Sequence, residues 1–226
     1  MVGKLDGFTW QINALAFSSG GDVLATGGAA TKKDGSLVGE IALWDAKTLK
    51  LRKKLEPDHD EVLSVAFDPK GEMIAAGHQE AVTLWHIDKL ESRSMGANGM
   101  MFVKAVSFSA DGKLLAAGDM LGTIKLWSID TDKKIGSWQG HSSGVAYLAF
   151  VPGGRTLVSA GSPDLESGKG EVILWDYASG SKLGMMPLSM QEAMTVCFVP
   201  TTGAILWKKS DGTLGMRQVS ELRGRK

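Results

Sequence analysis

Four histidines and a single cysteine are the most chemically versatile side chains in this sequence, and their spacing does not favour catalysis. His59, His78, His86 and His141 lack the close spacing of zinc ligands. His78 and His86 flank an apolar stretch and are expected to face solvent or a neighbouring sheet. Cys197 lies within the apolar segment TVCFV, so we expect a buried small hydrophobic residue rather than a reactive thiol. These residues predict neither a metal nor another cofactor.

Motifs for phosphate binding and hydrolysis give the same result. GGAATKK contains glycines but lacks the lysine-serine or lysine-threonine ending of a phosphate loop, and no nucleophile elbow is identified. A glycoside hydrolase needs two carboxylates that flank one site, and the sequence alone does not bring Asp22, Asp111 or Asp211 together. We therefore predict a protein that is not an enzyme.

Composition narrows the class of partner. The chain has 226 residues, of which 43% are hydrophobic, and this is enough for one sizeable all-β domain. Lysine plus arginine equals aspartate plus glutamate, at 25 each, so no global field favours nucleic acid or an acidic membrane surface. No stretch approaches 18 apolar residues, and a secretory signal is not visible. We expect a cytoplasmic protein whose partner is neither nucleic acid nor membrane.

Two aromatic landmarks recur along the chain and divide it into five repeats. A Phe ends the first apolar run of each repeat, at Phe17, Phe67, Phe108, Phe150 and Phe198. A Trp ends the third run, at Trp44, Trp85, Trp127 and Trp175, and Arg217 occupies the fifth position. Each Trp precedes the next Phe by 23 residues, whereas the spacing from Phe to Trp varies between 18 and 27. Length therefore changes at one place in the repeat, between the second and third runs.

The third repeat shows the strand pattern most clearly. Its sequence, FVKAVSFSADGKLLAAGDMLGTIKLWS, contains three short apolar runs separated by turn residues, which is typical of three antiparallel strands. The constant connection to the next repeat has room for a fourth strand. Both alternating sets of KLLAAG and TIKLW are apolar or small, so each sheet should be covered on both faces. The insertions AATKKDGSLVG and SPDLESGKG are expected to be loops.

The repeated segments INALAFSSGGDVLATGG, VKAVSFSADGKLLAAG and VAYLAFVPGGRTLVSAG, followed by EIALWD, TIKLWS and EVILWD, are similar to the WD-repeat family. The resemblance extends from about Leu5 to about Val219. It implies an all-β propeller of five four-stranded blades within a single domain over residues 1–219, followed by a basic tail over 220–226. It also implies a rigid platform for partner proteins. A stack of unclosed repeats is the alternative.

The family's buried set of His, Ser or Thr, Asp and Trp is retained only in part. The fourth repeat keeps His141, Ser159 and Trp175, with Lys169 at the aspartate position. The remnants in the other repeats are Thr26 and Trp44, His59 and Trp85, Trp127, and Asp211. Because no repeat has all four members, we expect packing to hold the blades together.

Closure of the ring is an open question at this point. The residues before Phe17 and after Arg217 add up to about one constant connection, so we expect Val2 to Leu5 to pair beside TLGMRQV and complete the last blade. The alternative is that the chain is a fragment of a longer propeller. A closed five-blade ring predicts a monomer, and an incomplete ring predicts an oligomer.

The resemblance implies that both insertions open on one rim, together with residues beside the lost buried set. That rim is predicted to bind a protein or peptide through Lys32, Lys33, Asp34, Trp10, Met100, Met120, Pro163, Asp164, Leu165 and Glu166. Internal packing is an equal alternative for the neighbouring Phe8, Met101, Phe102 and Leu121, and the insertions are alternatively neutral changes in length. A second functional alternative is a site for a small, sugar-like ligand or a hydrolytic site in the channel, where Trp10 and Trp207 would stack on a sugar.

Overall fold

The computed structural model describes residues 5, 11–56, 61–96, 99–163 and 167–224. These residues form five antiparallel sheets, and the described helices are two single turns. The all-β prediction is therefore confirmed. None of the helices within the described ranges has the length and apolar character needed to cross a bilayer.

The chain divides into two compact units, Met1–Val106 and Ser107–Lys226. The first unit holds two four-stranded sheets in which each strand pairs with the next one in sequence. The strands of the first sheet are β1 (Ile12–Phe17), β2 (Val23–Thr31), β3 (Leu37–Asp45) and β4 (Leu51–Leu55). Those of the second sheet are β5 (Ser64–Phe67), β6 (Met73–Gly77), β7 (Val82–His86) and β8 (Glu91–Ser94).

The third sheet begins at the division between the units and has the same strand order. Its strands are β9 (Val103–Phe108), β10 (Leu114–Asp119), β11 (Thr123–Ser128) and β12 (Lys134–Gln139). The fourth sheet contains β13 (Val145–Phe150), β14 (Thr156–Gly161), β15 (Lys169–Asp176) and β16 (Ser181–Ser189). The helical turn α1 (Met190–Ala193) leads to the fifth sheet, which has β17 (Cys197–Val199), β18 (Ala204–Lys208) and β19 (Leu214–Gln218) and is followed by α2 (Val219–Leu222).

Tight turns join the first and second strands of every sheet. In each turn a glycine has a positive φ between 69° and 76°, a conformation that other residues adopt only with strain. These glycines are Gly21, Gly71, Gly112, Gly153 and Gly203. The turn residues SSGG, DPKG, SADG and VPGG therefore have the role that the sequence predicts for them.

The central strands of the sheets are covered on both faces, as their apolar pattern predicts. All six residues of β14 are buried, and β10 and β11 are buried except at their ends. The outer strands β8 and β12 are largely exposed. Burial therefore decreases from the central strands toward the fourth strand of these sheets.

The first insertion differs from its prediction as a loop. β2 and β3 extend through most of it and pair from Val23 with Asp45 to Thr31 with Leu37. A short turn remains at the tip, where Asp34 Oδ1 accepts hydrogen bonds from the backbone N–H and the hydroxyl of Ser36. Small residues along β2 allow the ladder to continue, so the insertion is a longer hairpin rather than an irregular loop.

The fifth sheet has three strands within the described residues. After β19 the chain turns through α2 and runs along the outer edge of β16, where the N–H of Gly224 donates to the carbonyl of Leu183 at 2.8 Å. Of the strand expected at Val2 to Leu5, only Leu5 lies within the described residues. Closure by that strand and a single domain over residues 1–219 stay predictions.

Candidate functional site

A buried polar network crosses the fourth sheet. The indole Nε1 of Trp175 donates to Ser159 Oγ at 2.8 Å, and Ser159 Oγ lies 2.7 Å from His141 Nε2. His141 Nδ1 lies 3.1 Å from Glu171 Oε1. Because the serine accepts from the indole, its own proton serves His141 Nε2, and the ring then donates from Nδ1 to the carboxylate. Every polar atom along this line has a partner.

Glu171 completes this network, which the sequence analysis left without an acid. The aspartate position was assigned to Lys169, which is exposed, whereas Glu171 lies two residues later on β15 and contacts the histidine. The hydrogen bond from His141 is the main cause that lowers the pKa of the Glu171 carboxyl below its usual range. The fourth repeat lacks the aspartate of the family's set, but a glutamate at a different position contacts the same histidine in its place.

The other remnants form smaller contacts. Trp44 Nε1 donates to Thr26 Oγ1 at 3.0 Å in the first sheet. Within the described residues the indole N–H of Trp85 has no partner. Trp127 is fully buried in the third sheet. Asp211 is exposed and accepts from the N–H and hydroxyl of Thr213, so it shapes a turn rather than a buried network.

One further histidine position is resolved by the structure, and another lies outside the described residues. His78 was expected to face solvent or a neighbouring sheet; it is buried, with Nε2 2.7 Å from Thr83 Oγ1, so the solvent-facing alternative is wrong. The threonine on the adjacent strand supplies the partner that makes this burial possible. His59 lies outside the described residues.

A cleft of about 210 Å³ opens beside the network of the fourth sheet. The connection β12–β13, the described end of the second insertion, and β15 and β16 form its walls. Its lining residues include His141, Ser143, Ser162, Ser167, Lys169, Glu171, Met185 and Pro187. Hydroxyl groups, one ammonium and one carboxylate therefore face a common space, with two apolar side chains at its side.

Two exposed apolar residues continue this surface. Met120 and Leu121 lie in the turn between β10 and β11. The amide nitrogen of Gln139 donates to the carbonyls of both Leu121 and His141, at 2.7 and 2.8 Å. The β12–β13 connection also lies close to this turn, because a Cβ atom added to Gly144 would come within 3.1 Å of atoms of Met120 and Ser162. Met120 and Leu121 therefore border the cleft.

A buried aspartate holds the Met120 turn in place. The Oδ1 atom of Asp119 accepts from the backbone N–H groups of Leu121 and Thr123, at 3.0 and 2.8 Å. Lys125 is buried on the adjacent strand, and burial is the main cause that lowers the pKa of its ammonium group. The sequence analysis overlooked Asp119 and Lys125, although a charged residue within an apolar strand pattern was the available signal. We name Met120, Leu121 and the cleft residues together the cleft surface.

The charged residues of the first insertion lie in the other unit. Lys32, Lys33 and Asp34 are all exposed at the turn of the β2–β3 hairpin. The hydrogen bonds from Ser36 are the main cause that lowers the pKa of the Asp34 carboxyl, so the tip carries both signs of charge at neutral pH. Residues 31–37 form the hairpin tip.

Three predicted residues are placed differently from the expectation. Met100 is buried, so its side chain packs inside the protein and does not belong to an exposed surface. Trp207 is also buried, and its Nε1 donates to Glu192 Oε1 at 3.2 Å, which removes the indole from stacking on a sugar. Cys197 is exposed rather than buried, because alternation along β17 places Phe198 on the covered face and Cys197 on the opposite one.

Of the remaining residues predicted to bind a partner, some lie within the described residues and others do not. Pro163 is half-buried at the start of the second insertion. Trp10, Asp164, Leu165 and Glu166 lie outside the described residues, as does Phe8. Met101 is exposed and Phe102 half-buried in the first unit.

One sequence motif of hydrolases is present without the strand–turn–helix structure that the motif requires. Residues 140–144 spell GHSSG, which matches the nucleophile-elbow pattern that the sequence analysis did not identify. The segment joins two strands rather than a strand and a helix, and the nearest histidine already bonds Ser159 through Nε2. Across the described ranges, no group of three or more His, Cys, Asp or Glu side chains is arranged to hold a metal ion.

Comparison with known proteins identifies the repeat. The family model described as "WD domain, G-beta repeat" matches residues 1–38, 49–86, 93–128 and 132–176. Telomerase protein component 1 of Rattus norvegicus is 29% identical over 168 residues, which cover 73% of this chain and 6% of that protein. WD repeat-containing protein SL1-17 of Schistosoma mansoni is 29% identical over 140 residues, covering 62% of this chain and 46% of the relative.

A third relative, the small ribosomal subunit protein RACK1y of Oryza sativa subsp. japonica, is 31% identical over 133 residues, covering 56% of this chain and 37% of that protein. The matches therefore span less than half the length of each of these relatives. The four matches to the family model together cover more than half of the chain and show that it belongs to the WD-repeat family.

Proposed function

We propose that the protein is a non-catalytic scaffold that binds a protein or an extended peptide through the hairpin tip and the cleft surface. Each insertion joins the second and third strands of its own sheet, which is the one connection whose length varies between repeats. Constant strands combined with variable connections are typical of a fixed framework that carries a recognition surface.

The composition of the cleft surface is the observation that carries this proposal. Met120 and Leu121 present apolar area, while Ser143, Lys169 and Glu171 line the neighbouring cleft with donors and acceptors. Specific protein interfaces combine apolar anchors with a polar rim in this manner. A peptide chain can satisfy both kinds of group along its length, which a small sugar-like ligand does less well.

The buried network stabilises the floor of the cleft. His141 is bonded through both ring nitrogens, and Glu171 is held by that histidine. A binding surface that is already ordered loses little conformational entropy when a partner arrives. The same network leaves His141 Nε2 occupied by Ser159, which favours binding over proton transfer.

The charges at both surfaces favour a partner that carries positive as well as negative groups. The hairpin tip carries two lysines and an ionised Asp34, and the cleft surface carries Lys169 beside Glu171. With equal numbers of positive and negative residues in the whole chain, selection would depend on the local pattern of charge. Relatives named as a ribosomal subunit protein and as a telomerase component support a role within assemblies.

Affinity capture with matched variants tests the proposal. Met120→Ser with Leu121→Ser alters the cleft surface, and Ile135→Ser is the control because Ile135 is exposed on β12. Proteins captured by the wild type should be lost from the double variant and retained by the control. An unchanged set of captured proteins in the double variant would refute this use of the cleft surface.

The hairpin tip is tested separately. Lys32→Glu with Lys33→Glu reverses its charge, and Lys133→Glu changes a similarly exposed lysine in the β11–β12 turn. We expect weaker capture only in the first variant, most clearly at low salt, because exposed charges are screened as ionic strength rises. Equal capture by both variants would exclude the hairpin tip from the interface. A cytoplasmic location stays a prediction.

A further inference from the structure

A pocket of about 270 Å³ lies between the first and second sheets, and all of its lining residues belong to the first unit. It lies at the end of the β2–β3 hairpin where Val23 pairs with Asp45. The hairpin tip lies at the other end, where Thr31 pairs with Leu37. The pocket also shares no residue with the cleft surface, so neither part of the proposed function makes use of it.

The floor of the pocket is apolar. Leu43 is 2% exposed and belongs to the apolar cluster that joins the two sheets. Val23, Phe67 and Ile87 are half-buried and pack against the same cluster. An apolar cavity of about 150 Å³ is large enough for benzene, and sites for drug-sized ligands begin at about 300 Å³. A pocket of this size therefore fits one ring with a short substituent.

The fourth sheet shows which group fits beside a landmark phenylalanine. Tyr177 lies two residues after Trp175, and its ring meets Phe150 edge-on, with centroids 5.3 Å apart and ring planes at 74°. The hydroxyl of Tyr177 donates to the carbonyl of Gly154 at 3.4 Å. One aromatic ring therefore fills the space between the phenylalanine and the turn that follows its strand.

The same three positions line the pocket in the second sheet. Phe67, Gly71 and Ile87 have the places of those three residues relative to the repeat landmarks. Isoleucine has no ring to offer, and Phe67 is half-buried where Phe150 is 7% exposed. Edge-to-face aromatic pairs stabilise by more than the area that they bury. An aromatic ligand would therefore make the contact with Phe67 that a tyrosine makes within the fourth sheet.

The charged residues of the lining favour an anionic group on this ligand. Lys53 is half-buried, and its Nζ donates to the carbonyl of Ile87 at 2.7 Å, which holds the ammonium beside the apolar floor. An ammonium has three donors, and a neutral carbonyl uses one of them without compensating its charge. Arg52 is paired with Asp45 at 2.7 Å, and Asp88 is exposed. With two cations and one carboxylate in the lining, Lys53 is the group that can receive an anion.

We propose that this pocket binds a small aromatic carboxylate, with the ring against Phe67 and the carboxylate at Lys53. A hydrogen bond between an ammonium and a carboxylate is stronger than one between neutral groups, so the acid fixes the orientation of the ring. An apolar pocket with a few placed polar groups is typical of small-ligand sites. The ring and acid together are the recognised chemistry, whether they belong to a free acid or to the last residue of a chain.

Three probes separate the ring from the charge, and they need no variant. Phenylacetate should bind the full chain with a Kd on the order of 1 mM, measured by ligand-observed NMR. Cyclohexylacetate is at least as apolar but has no aromatic ring, so it should bind at least about twofold more weakly. Benzyl alcohol has the ring without the acid and should bind about tenfold more weakly. Equal affinity for the two acids would overturn the aromatic assignment, and no binding of phenylacetate at about 10 mM would overturn the site.

Filling the pocket tests its location. Ile87→Tyr introduces the tyrosine of the fourth sheet at the equivalent position, so phenylacetate binding should be lost while circular dichroism shows a folded protein. Binding that persists in this folded variant would place the ligand elsewhere and overturn the proposal. If Ile87→Tyr does not fold, Val23→Phe replaces it, because Val23 lines the pocket from the first sheet.

Removing the ammonium tests the role of Lys53. Lys53→Met keeps an unbranched apolar side chain, so phenylacetate should bind about tenfold more weakly while benzyl alcohol binds as it does to the wild type. Lys133→Met changes an exposed lysine in the β11–β12 turn and should bind phenylacetate like the wild type. Equal phenylacetate affinity in both lysine variants would overturn the assignment of the acid to Lys53. The tripeptide Gly-Gly-Phe is the last probe, since tighter binding of it than of phenylacetate assigns the pocket to a chain end and weaker binding to a free acid.

Discussion

Replacing Ser159 with alanine removes the central atom of the buried network in the fourth sheet. Ser159 Oγ accepts from Trp175 Nε1 at 2.8 Å and lies 2.7 Å from His141 Nε2, and the residue is fully buried. Alanine retains the Cβ atom, so the packing volume changes by little more than one oxygen. The substitution therefore isolates the hydrogen bonds from the packing of the sheet.

The expected loss follows from the two groups left without a partner. A buried donor or acceptor that loses its partner costs roughly 1–3 kcal/mol, and two such groups in one network are not fully additive. We therefore expect Ser159→Ala to lower the free energy of unfolding by about 2–4 kcal/mol. For a chain of this size each kcal/mol shifts the melting temperature by about 2–4 °C, which gives a decrease on the order of 5–15 °C.

Urea denaturation followed by circular dichroism measures this loss. Ser137→Ala is the matched control, because Ser137 is exposed on β12 and a surface substitution of this kind changes stability by about 0.5 kcal/mol or less. The midpoint should fall for Ser159→Ala with little change in slope. If the two variants were equally stable, the reasoning that the network holds the fourth sheet together would be refuted.

Three further predictions concern acid, close contacts and packing. His141 lowers the pKa of the Glu171 carboxyl from 4.5, so the stabilising effect of the carboxylate is present above pH 4.5 and is lost as pH falls through the lower pKa of the folded state. Glu171→Gln should therefore lose less stability in acid than the wild type, as measured by urea midpoints above and below pH 4.5. Gly184→Ala should cost about 1–3 kcal/mol in thermal unfolding because its new Cβ would lie 1.9 Å from the carbonyl oxygen of Leu222, whereas Gly154→Ala has open space, and equal melting temperatures would contradict the contact. Trp127→Ala should cost about 3–5 kcal/mol, since the side chain is fully buried, and a loss smaller than that of Ser159→Ala would contradict the view that packing dominates in the third sheet.

The repeat pattern was sufficient to predict the sheets. A fixed spacing between Trp and the next Phe placed the strands, and the glycines of the first turns have the positive φ values that such turns require. The pattern is reliable here because strand alternation and turn conformation are local properties. In contrast, the first insertion was predicted as a loop because its composition is polar. The hairpin found there depends on pairing between β2 and β3, which composition alone does not indicate.

Side-chain partners were harder to predict than strands. Assignment by position gave Lys169 the role that Glu171 performs. The glutamate side chain is longer than that of the expected aspartate, so it reaches His141 from a position two residues further along the same strand. Met100 was predicted to be exposed but is buried, because burial in a repeat depends on the neighbouring sheet and not only on the strand itself. Cys197 was predicted to be buried from the apolar residues around it, although alternation with Phe198 along the strand was the signal that places it on the opposite face.

The contact between the end of the chain and β16 has a consequence for solubility. Residues 222–224 lie along the outer edge of that strand, and the N–H of Gly224 occupies the carbonyl of Leu183. A strand edge with free backbone groups is a template for the addition of another chain. The short segment after β19 therefore covers the edge of the fourth sheet. Shortening the protein at Gln218 would expose this edge to pairing with another chain and promote aggregation.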